Sequence, residues 1–455
     1  MSFPGFCFKQ ASNTTETTLY KYWRFRMMFS MMLGYAAFYF VRQNLSFAMP
    51  LMEADMGLSK TELGQIASIF GVIYGLGKFI SGILGDRSKS RTFISVGLLL
   101  ASVTNIFMSL ASSLWALTLI WAINSCCQST GAPSCAKMIA HWFSPKEIGT
   151  KWAIWSSSQQ IGAAIISVIL PLLLFDNKWR IAFWGPGILG IIVAAIVYFG
   201  VRDEPKIVGL PSPEEIDGLK NTKFDECAHM TPFQILVSKV IRNKMVWTMG
   251  LANFFLYFVR MGFIFWGPMF LCQAKGCAFK YTGLFMAIFN IAGVIGSISA
   301  GILSDRYFKG RRGRAGFFYM SGLGLSMTAM LFLPSNTGSH FLNMPSMIVI
   351  FLIGMFVAGP QTMVGVAAVD FASKRAAGAA SGLTGACGYV GGTTIAGQGI
   401  AYIASSSYGW NGVFVAFLIA ALAGSLCFVF TWNTRAKALD TTSTNKKQQN
   451  IRGHK

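Results

Sequence analysis

Long apolar stretches alternate with short polar ones along the whole chain. A membrane-crossing helix needs about 20 mainly apolar residues. Such runs occur at 27–50, 63–85, 92–112, 114–136, 152–174, 181–201, 245–271, 283–304, 315–334, 345–369, 378–404 and 410–432. The pattern predicts an all-α membrane protein with twelve transmembrane helices in two six-helix bundles, 27–201 and 245–432. A central loop, 202–244, joins the bundles, and the segments 1–26 and 433–455 lie at the two ends.

Composition supports a membrane as the main partner of the chain. Apolar residues make up 53% of the sequence and charged residues only 12%, yet the formal net charge is +21. Soluble globular chains have about 25% charged residues, so this composition argues against a soluble fold and against disorder. A strongly basic chain often binds nucleic acid. With this hydropathy, however, we expect a lipid bilayer as the partner and no nucleic acid.

The positive charges are unevenly distributed between the two sides of the predicted membrane. With the N-terminus placed in the cytosol, thirty of the 38 lysine and arginine residues fall in cytosolic segments and five in outer loops. Cytosolic loops of membrane proteins carry the excess of these residues. The distribution therefore predicts that both termini and the central loop are cytosolic.

A short motif occurs twice at half-chain spacing. The pattern G-x-L-x-D-R stands at 82–87 and again at 301–306, so that Asp86 with Arg87 and Asp305 with Arg306 are 219 residues apart. The motif resembles the loop signature of the major facilitator superfamily. One interpretation is a latch, in which each aspartate at a helix end pairs with nearby basic residues. The alternative is a topology signal without a latch.

Three cations lie inside the predicted spans: Arg42, Lys78 and Arg260. An arginine or lysine at mid-membrane costs at least about 2.5–3.5 kcal/mol, so such residues usually line a cavity and serve a function. None of the 17 acidic residues lies in a span interior. A buried charge needs a partner, so we expect the counter-ion to be a diffusible anion, the substrate. Snorkelling is a reasonable alternative for Lys78 and a weak one for Arg260.

The two arginines occupy equivalent positions in the two halves of the chain. Arg42 and Arg260 are 218 residues apart, close to the spacing of the two motifs. Equivalent positions of two repeated halves face each other near the membrane midplane in transporters. Two guanidiniums there suit a tetrahedral oxyanion such as phosphate. Lys78 has no counterpart, because Ser297 stands at the matching position.

Tyrosines share the helix faces of these cations. Four of them precede a cation by three, four or seven residues: Tyr35, Tyr39, Tyr74 and Tyr257. Residues at these spacings lie on one helix face. Their hydroxyls are candidate donors to a phosphate or a sugar, and ordinary helix packing is an equally good interpretation.

The absence of other chemistry narrows the function further. The spans contain no His, Asp or Glu in their interiors, which makes a side-chain proton relay, and hence proton symport, unexpected. No nucleophile–base pair or metal cluster occurs, so we expect neither an enzyme nor a cofactor. Cys272 and Cys277 share one short loop and are candidates for a disulfide.

Four segments of the chain form a specific combination: GYAAFYFVRQN at 34–44, GKFISG at 77–82, YFVR at 257–260 and AAGAASG at 376–382. Together they resemble the organophosphate:phosphate antiporter family, which includes glycerol-3-phosphate and hexose-6-phosphate transporters. The resemblance covers about residues 20–433, and GPQ at 359–361 and YKYWR at 20–24 favour the hexose-phosphate branch. It implies a major facilitator fold with phosphate bound by Arg42 and Arg260. The resemblance also implies further site residues: Lys78, Tyr35, Tyr39, Tyr74, Tyr257 and Tyr389.

One position departs from the family pattern. Several members carry a histidine in the fifth span, where this chain has Gln159. Glutamine forms hydrogen bonds but does not ionise. A role that depends on a charged imidazole is therefore not expected here.

These observations predict an alternating-access antiporter that takes up a sugar phosphate, with glucose-6-phosphate favoured, in exchange for inorganic phosphate. Arg42 and Arg260 hold the phosphoryl group, Lys78 adds positive potential, and the tyrosines with Gln159 orient the organic part. The predicted location is a bacterial inner membrane, and the predicted state is a monomer. The alternatives are a glycerol-3-phosphate antiporter, a membrane sensor of external glucose-6-phosphate, and a proton-coupled carrier on the same fold, which the absent acids disfavour.

Overall fold

The structure is a computed structural model. It describes residues 6–143, 147–174, 178–211, 213, 234, 236–334, 344–371 and 377–434. Helices joined by short loops make up these residues, and no strand occurs among them. Most of the predicted central loop and nearly all of the predicted tail lie outside the described residues.

Fourteen α-helices are described, and we number them in chain order. The first seven are α1 (Phe6–Met56), α2 (Lys60–Arg87), α3 (Ser90–Leu110), α4 (Leu114–Gln128), α5 (Gly131–Trp142), α6 (Ile148–Leu173) and α7 (Ile181–Gly200). The second seven are α8 (Lys244–Gln273), α9 (Phe279–Ile302), α10 (Arg312–Phe332), α11 (Met344–Phe371), α12 (Ala377–Ala386), α13 (Thr394–Ser405) and α14 (Gly409–Phe430). The shorter elements are a 3₁₀ turn, Pro205–Val208, and three π segments, Leu236–Ile241, Leu303–Tyr307 and Cys387–Thr393.

Local sequence signals account for several helix starts. Ser59 begins α2 with a capping box, because its hydroxyl accepts from the Glu62 N–H and the Glu62 carboxylate accepts from the Ser59 N–H at 2.8 Å. Asn243 begins α8, where its side-chain oxygen accepts from the Met245 N–H at 3.0 Å. Such side chains satisfy donors that the first helical turn leaves free.

Helical membrane spans are confirmed over the described part of the chain. Nine helical segments there are long and apolar enough to cross a membrane by themselves. The three other predicted spans are also helical: span 1 lies within the longer and more polar α1, and spans 4 and 11 are each interrupted. Hydropathy alone therefore locates all the spans but does not reveal the interruptions.

The fourth span breaks between α4 and α5 at Ser129 and Thr130. Pro133 stands in the first turn of α5. In an unbroken helix its ring would clash with the carbonyl group of Ser129, four residues earlier. The hydroxyls of Ser129 and Thr130 donate to the carbonyls of Cys126 and Cys127 at 2.6 and 2.9 Å. Backbone groups freed in a membrane need such internal partners.

The eleventh span contains the π segment Cys387–Thr393 between α12 and α13. Glycines allow this segment to approach α8 closely. A Cβ atom at Gly392 would lie 2.3 Å from the Phe254 carbonyl oxygen, and one at Gly388 would lie 3.0 Å from the Tyr257 ring. Gly382 and Gly385 face open space instead. The glycine-rich run is thus a packing surface only in its second part.

The first and second halves of the chain meet along several helix pairs. α1 packs against α8, α2 against α13 and the π segment, and α6 against α9. At Gly397 of α13, a Cβ atom would lie 2.4 Å from the Ser68 hydroxyl. The Gln273 amide donates to the Glu53 carboxylate at 2.9 Å, joining the ends of α8 and α1. The halves are therefore in contact at the end of the bundle that holds the predicted outer loops.

Cys272 and Cys277, the candidates for a disulfide, are free thiols in the structure. Burial raises the pKa of the Cys277 thiol to about 12, and the neighbouring Cys272 adds to the rise. A thiol with a raised pKa stays protonated and reacts slowly, because the thiolate is the reactive species.

Candidate functional site

Arg42 and Arg260 line one small cavity between α1 and α8, in the middle of the bundle. Each side chain is only 6% exposed. The cavity has room for roughly one water molecule. Its other lining residues are Tyr39, Gln43, Ser46, Phe70, Met261, Ile264 and Phe265. The structure thus brings the two predicted arginines to a common site that is tightly closed.

Arg42 is held on one side and unpaired on the other. Its Nε donates to Oε1 of Gln128 at 2.7 Å. Its two terminal nitrogens, Nη1 and Nη2, are buried without a hydrogen-bond partner among the described residues. A guanidinium presents these two nitrogens as a fork that matches two oxygens of a phosphate or carboxylate. The open fork is therefore oriented for an anion.

Aromatic rings lie beside both guanidiniums, three at Arg42 and one at Arg260 among the described contacts. Cζ of Arg42 lies 4.6 Å from the ring centre of Tyr39, 4.5 Å from that of Tyr74 and 5.1 Å from that of Phe70. Cζ of Arg260 lies 5.7 Å from the ring centre of Tyr257. Cations are attracted to ring faces at such distances, most strongly away from water. The rings thus help to keep two like charges buried.

Three tyrosines connect the two halves of the site. The rings of Tyr74 and Tyr389 are 4.7 Å apart, and those of Tyr389 and Tyr257 are 4.8 Å apart. Nζ of Lys78 lies 5.5 Å from the ring centre of Tyr389. Tyr389 belongs to the π segment, and such segments are frequent at functional sites. Lys78 therefore belongs to the same group of side chains as the two arginines.

Gln159 of α6 closes the other side of the group. Its Oε1 accepts a hydrogen bond from the Tyr39 hydroxyl at 2.8 Å. Tyr35 packs on Tyr39, with ring centres 5.7 Å apart, and on Trp155, with ring centres 4.6 Å apart. All nine residues predicted for substrate binding thus form one connected group. Their roles in binding stay predictions.

Three residues near the arginines were missed at the level of the sequence: Gln43, Phe70 and Gln128. The Nε2 atom of Gln43 is buried and unpartnered among the described residues, beside the cavity. Gln128 also bonds to Asn124 and to the Val41 carbonyl. Two amides one helical turn apart in an apolar span are a detectable signal for the Asn124–Gln128 pair. Phe70 has no such signal.

The predicted latch motif lies far from this cavity, at the ends of α9 and α11. Asp305 pairs with Arg312, whose Nε is 3.4 Å from the Asp370 carboxylate. Burial raises the pKa of the Asp370 carboxyl, and the Arg312 guanidinium counteracts this rise. Arg306 is exposed. The side chains of Asp86 and Arg87 lie outside the described residues.

Near the first copy of the motif, Lys137 of α5 contacts the backbone. Its Nζ donates to the carbonyls of Gly85 and Ser88, both at 3.0 Å. Each motif thus lies beside a basic residue of a neighbouring helix. Whether these contacts act as a latch depends on a second conformation, so the latch stays a prediction.

Comparison with known proteins identifies the class to which this helical bundle belongs. The profile of the Major Facilitator Superfamily matches residues 31–396. A bacterial homologue of the lysosomal transporter Spinster, solved in an inward-facing and unoccupied conformation, has a TM-score of 0.71 at 16% identity. The match covers 90% of this chain and 96% of that one. The class is thus a multi-pass transporter and not an enzyme.

Curated relatives narrow the class. A "Probable hexose phosphate transport protein" of Chlamydia trachomatis is 37% identical, covering 92% of this chain and 93% of that protein. A "Glycerol-3-phosphate transporter" of Bacillus subtilis is 35% identical, with 92% and 94% covered. A "Membrane sensor protein UhpC" of Escherichia coli is 33% identical, with 88% and 90% covered. The chain belongs to the organophosphate:phosphate antiporter family of the Major Facilitator Superfamily.

Proposed function

We propose that this protein exchanges an organic phosphate for inorganic phosphate, with glucose-6-phosphate as the favoured organic substrate. The observation that carries the proposal is the pair of buried arginines on one cavity, with the Arg42 fork unpaired. No acidic residue of the chain lies in a span interior to neutralise them. A phosphoryl group supplies the missing charge and the oxygens that a guanidinium fork binds.

Exchange rather than one-way transport follows from the same charges. An empty site would have to enclose unpaired cations while the two bundles, 27–201 and 245–432, rock about it. Enclosing unpaired charges away from water is costly. Phosphate from either side offsets that cost, so the loaded carrier reorients and the empty one stalls.

Counterflow in vesicles tests the exchange. We expect purified protein in liposomes to take up labelled phosphate only when phosphate or an organic phosphate is loaded inside. Unlabelled glucose-6-phosphate outside should compete at lower concentrations than glycerol-3-phosphate. Uptake that is indifferent to internal phosphate would contradict exchange, and stronger competition by glycerol-3-phosphate would favour that substrate instead.

A sensor is the second candidate, because one relative is named a membrane sensor protein. The central loop that could contact a signalling partner lies largely outside the described residues. The counterflow measurement separates the two functions, since a sensor binds its ligand without exchange in purified form.

We further propose a bacterial inner membrane as the location, with both termini cytosolic and a monomer as the working unit. The excess of basic residues in the segments assigned to the cytosol supports this orientation. The bacterial sources of the curated relatives support the location. In this orientation the contact between Glu53 and Gln273 lies on the outer side.

Replacing Gln159 with histidine should make transport depend on pH in a new way. Gln159 keeps one charge state, whereas a histidine ionises near about pH 6.5. A protonated imidazole beside Tyr39 adds a positive charge for the phosphate. We therefore expect the ratio of variant to parent flux to rise as the pH falls through that range.

Taking the ratio of the two fluxes cancels the effect of the substrate's own ionisation, which occurs at about pH 6 for phosphate esters. Gln65→His is the matched control, because Gln65 of α2 is exposed and forms no described hydrogen bond with the site residues named above. A flat ratio for Gln159→His, equal to that of the control, would contradict a place for Gln159 near the substrate.

A further inference from the structure

Three arginines converge on the end of α7, far from the substrate cavity. Nη2 of Arg26 and Nη1 of Arg202 both donate to the Phe199 carbonyl, at 3.0 and 3.2 Å. Nε of Arg91 donates to the neighbouring Tyr198 carbonyl at 2.6 Å. The three side chains come from α1, α3 and the residues after α7, and they form what we call the arginine cluster.

The cluster carries positive charge without a paired acid. None of the three arginines forms an ion pair with another described residue. The nearby Asp203 carboxylate accepts instead from the Arg91 backbone N–H at 2.8 Å. Burial and the positive charges of Arg91 and Arg26 lower the pKa of the Arg202 guanidinium, and the Asp203 carboxylate and Tyr198 offset part of this change. Like charges are thus held together at a cost that a bound anion would relieve.

Capping of the helix end explains only part of this arrangement. Cations stabilise the carbonyls at a helix C-terminus. Arg26 and Arg202 share the Phe199 carbonyl oxygen, Arg26 also donates to the Tyr22 hydroxyl, and Arg202 also donates to the Val201 carbonyl. The described side-chain contacts of Arg91 use only its Nε and the ring of Tyr198. A guanidinium has five N–H donors. Most donors of the cluster therefore remain available to a ligand.

Apolar side chains place the cluster at the membrane surface. Phe25 is 72% exposed, Phe199 is 64% exposed, and Phe29 is exposed as well. The rings of Phe25 and Phe29 stack with centres 6.3 Å apart. Exposed aromatic residues on membrane helices face lipid. The arginines lie at the end of this lipid-facing surface, at the level where lipid headgroups begin.

We propose that the arginine cluster binds the phosphodiester headgroup of an anionic phospholipid, with Phe25, Phe29 and Phe199 in contact with its acyl chains. Basic pockets between membrane helices are suited to such headgroups. The net charge distinguishes lipid classes, because a zwitterionic lipid carries its own cation beside the phosphate. The cluster lies within the first half of the chain, so bound lipid should stabilise that half.

Native mass spectrometry of the purified protein tests the proposal. Phosphatidylglycerol and phosphatidylcholine with the same acyl chains are added in turn, and bound lipid is counted. We expect phosphatidylglycerol to bind more tightly, and each of Arg26→Gln, Arg91→Gln and Arg202→Gln to weaken it about fivefold. The matched control removes three exposed cations elsewhere on the predicted cytosolic side, by Arg242→Gln, Lys244→Gln and Lys309→Gln.

A variant with all three arginines replaced by glutamine is a further arm of the test, and the single variants keep the test usable if that triple variant fails to fold. Equal binding by the control and the cluster variants would overturn the proposal, since net charge alone would then explain the affinity. Displacement of phosphatidylglycerol by millimolar-range inorganic phosphate would also overturn it, in favour of a site for soluble anions. Loss confined to the cluster variants, unaffected by phosphate, is the expected result.

Discussion

Replacing Arg42 with lysine is expected to reduce phosphate counterflow about a hundredfold, and Arg260→Lys should have a comparable effect. Lysine keeps the charge but offers a compact ammonium in place of a planar fork. Losing a hydrogen bond to a charged group costs about 1.5–3 kcal/mol, and the upper end of this range corresponds to the stated factor. The measurement is the initial rate of exchange in liposomes that contain equal amounts of protein.

The double variant distinguishes a shared ligand from two separate roles. If both arginines hold the same phosphoryl group, the double variant should be little worse than either single one, because groups that act as a unit are not additive. Arg180→Lys is the control. Arg180 lies in a predicted outer loop, where it pairs with Asp55 at 3.2 Å, and it does not line the cavity. Near-normal exchange by both single site variants would contradict the phosphate site.

The two arginines also show how far repetition in a sequence can locate a site. Their matching positions in the two halves predict a meeting point before any contact is known. Both do line one cavity. Tyr389 was linked to the site by resemblance alone, and its place between Tyr74 and Tyr257 depends on the π segment. A one-residue change of helical register re-aims a side chain, and no hydropathy pattern records it.

The interruptions of the membrane spans also could not be predicted from hydropathy. The run 114–136 is apolar throughout, so its hydropathy predicts one continuous helix. Pro133 divides it, and Gln128 ends the first part beside Arg42. Which amide reaches which guanidinium depends on the relative rotation of packed helices. That rotation is set by side-chain packing between distant segments and not by the composition of either one.

The second large effect is expected for substitutions of Gln128, which should weaken phosphate binding. Gln128→Glu should eliminate most phosphate binding, because a carboxylate at the position of Oε1 would pair permanently with Arg42. The site would then hold its own counter-ion, and the substrate would have to compete with it at very short range. Gln128→Met removes the hydrogen bond without adding a charge. We expect it to weaken binding by about tenfold, the value of a lost bond to a charged group.

The contrast between the two Gln128 variants separates a positioning role from a structural one. Gln128 is 1% exposed, so both changes will affect stability, and thermal unfolding in detergent measures that effect. If Gln128 were purely structural, both variants would lose exchange activity in proportion to their loss of thermal stability. A residue that positions Arg42 should instead show a much higher KM for phosphate in Gln128→Glu than in Gln128→Met at similar stability. Gln65→Glu, at an exposed position of α2, serves as the control for an added carboxylate. If phosphate and the organic phosphate share the Arg42 fork, as we propose, Gln128→Glu should weaken the binding of both by the same factor. Unequal losses would place Gln128 beside only one of them.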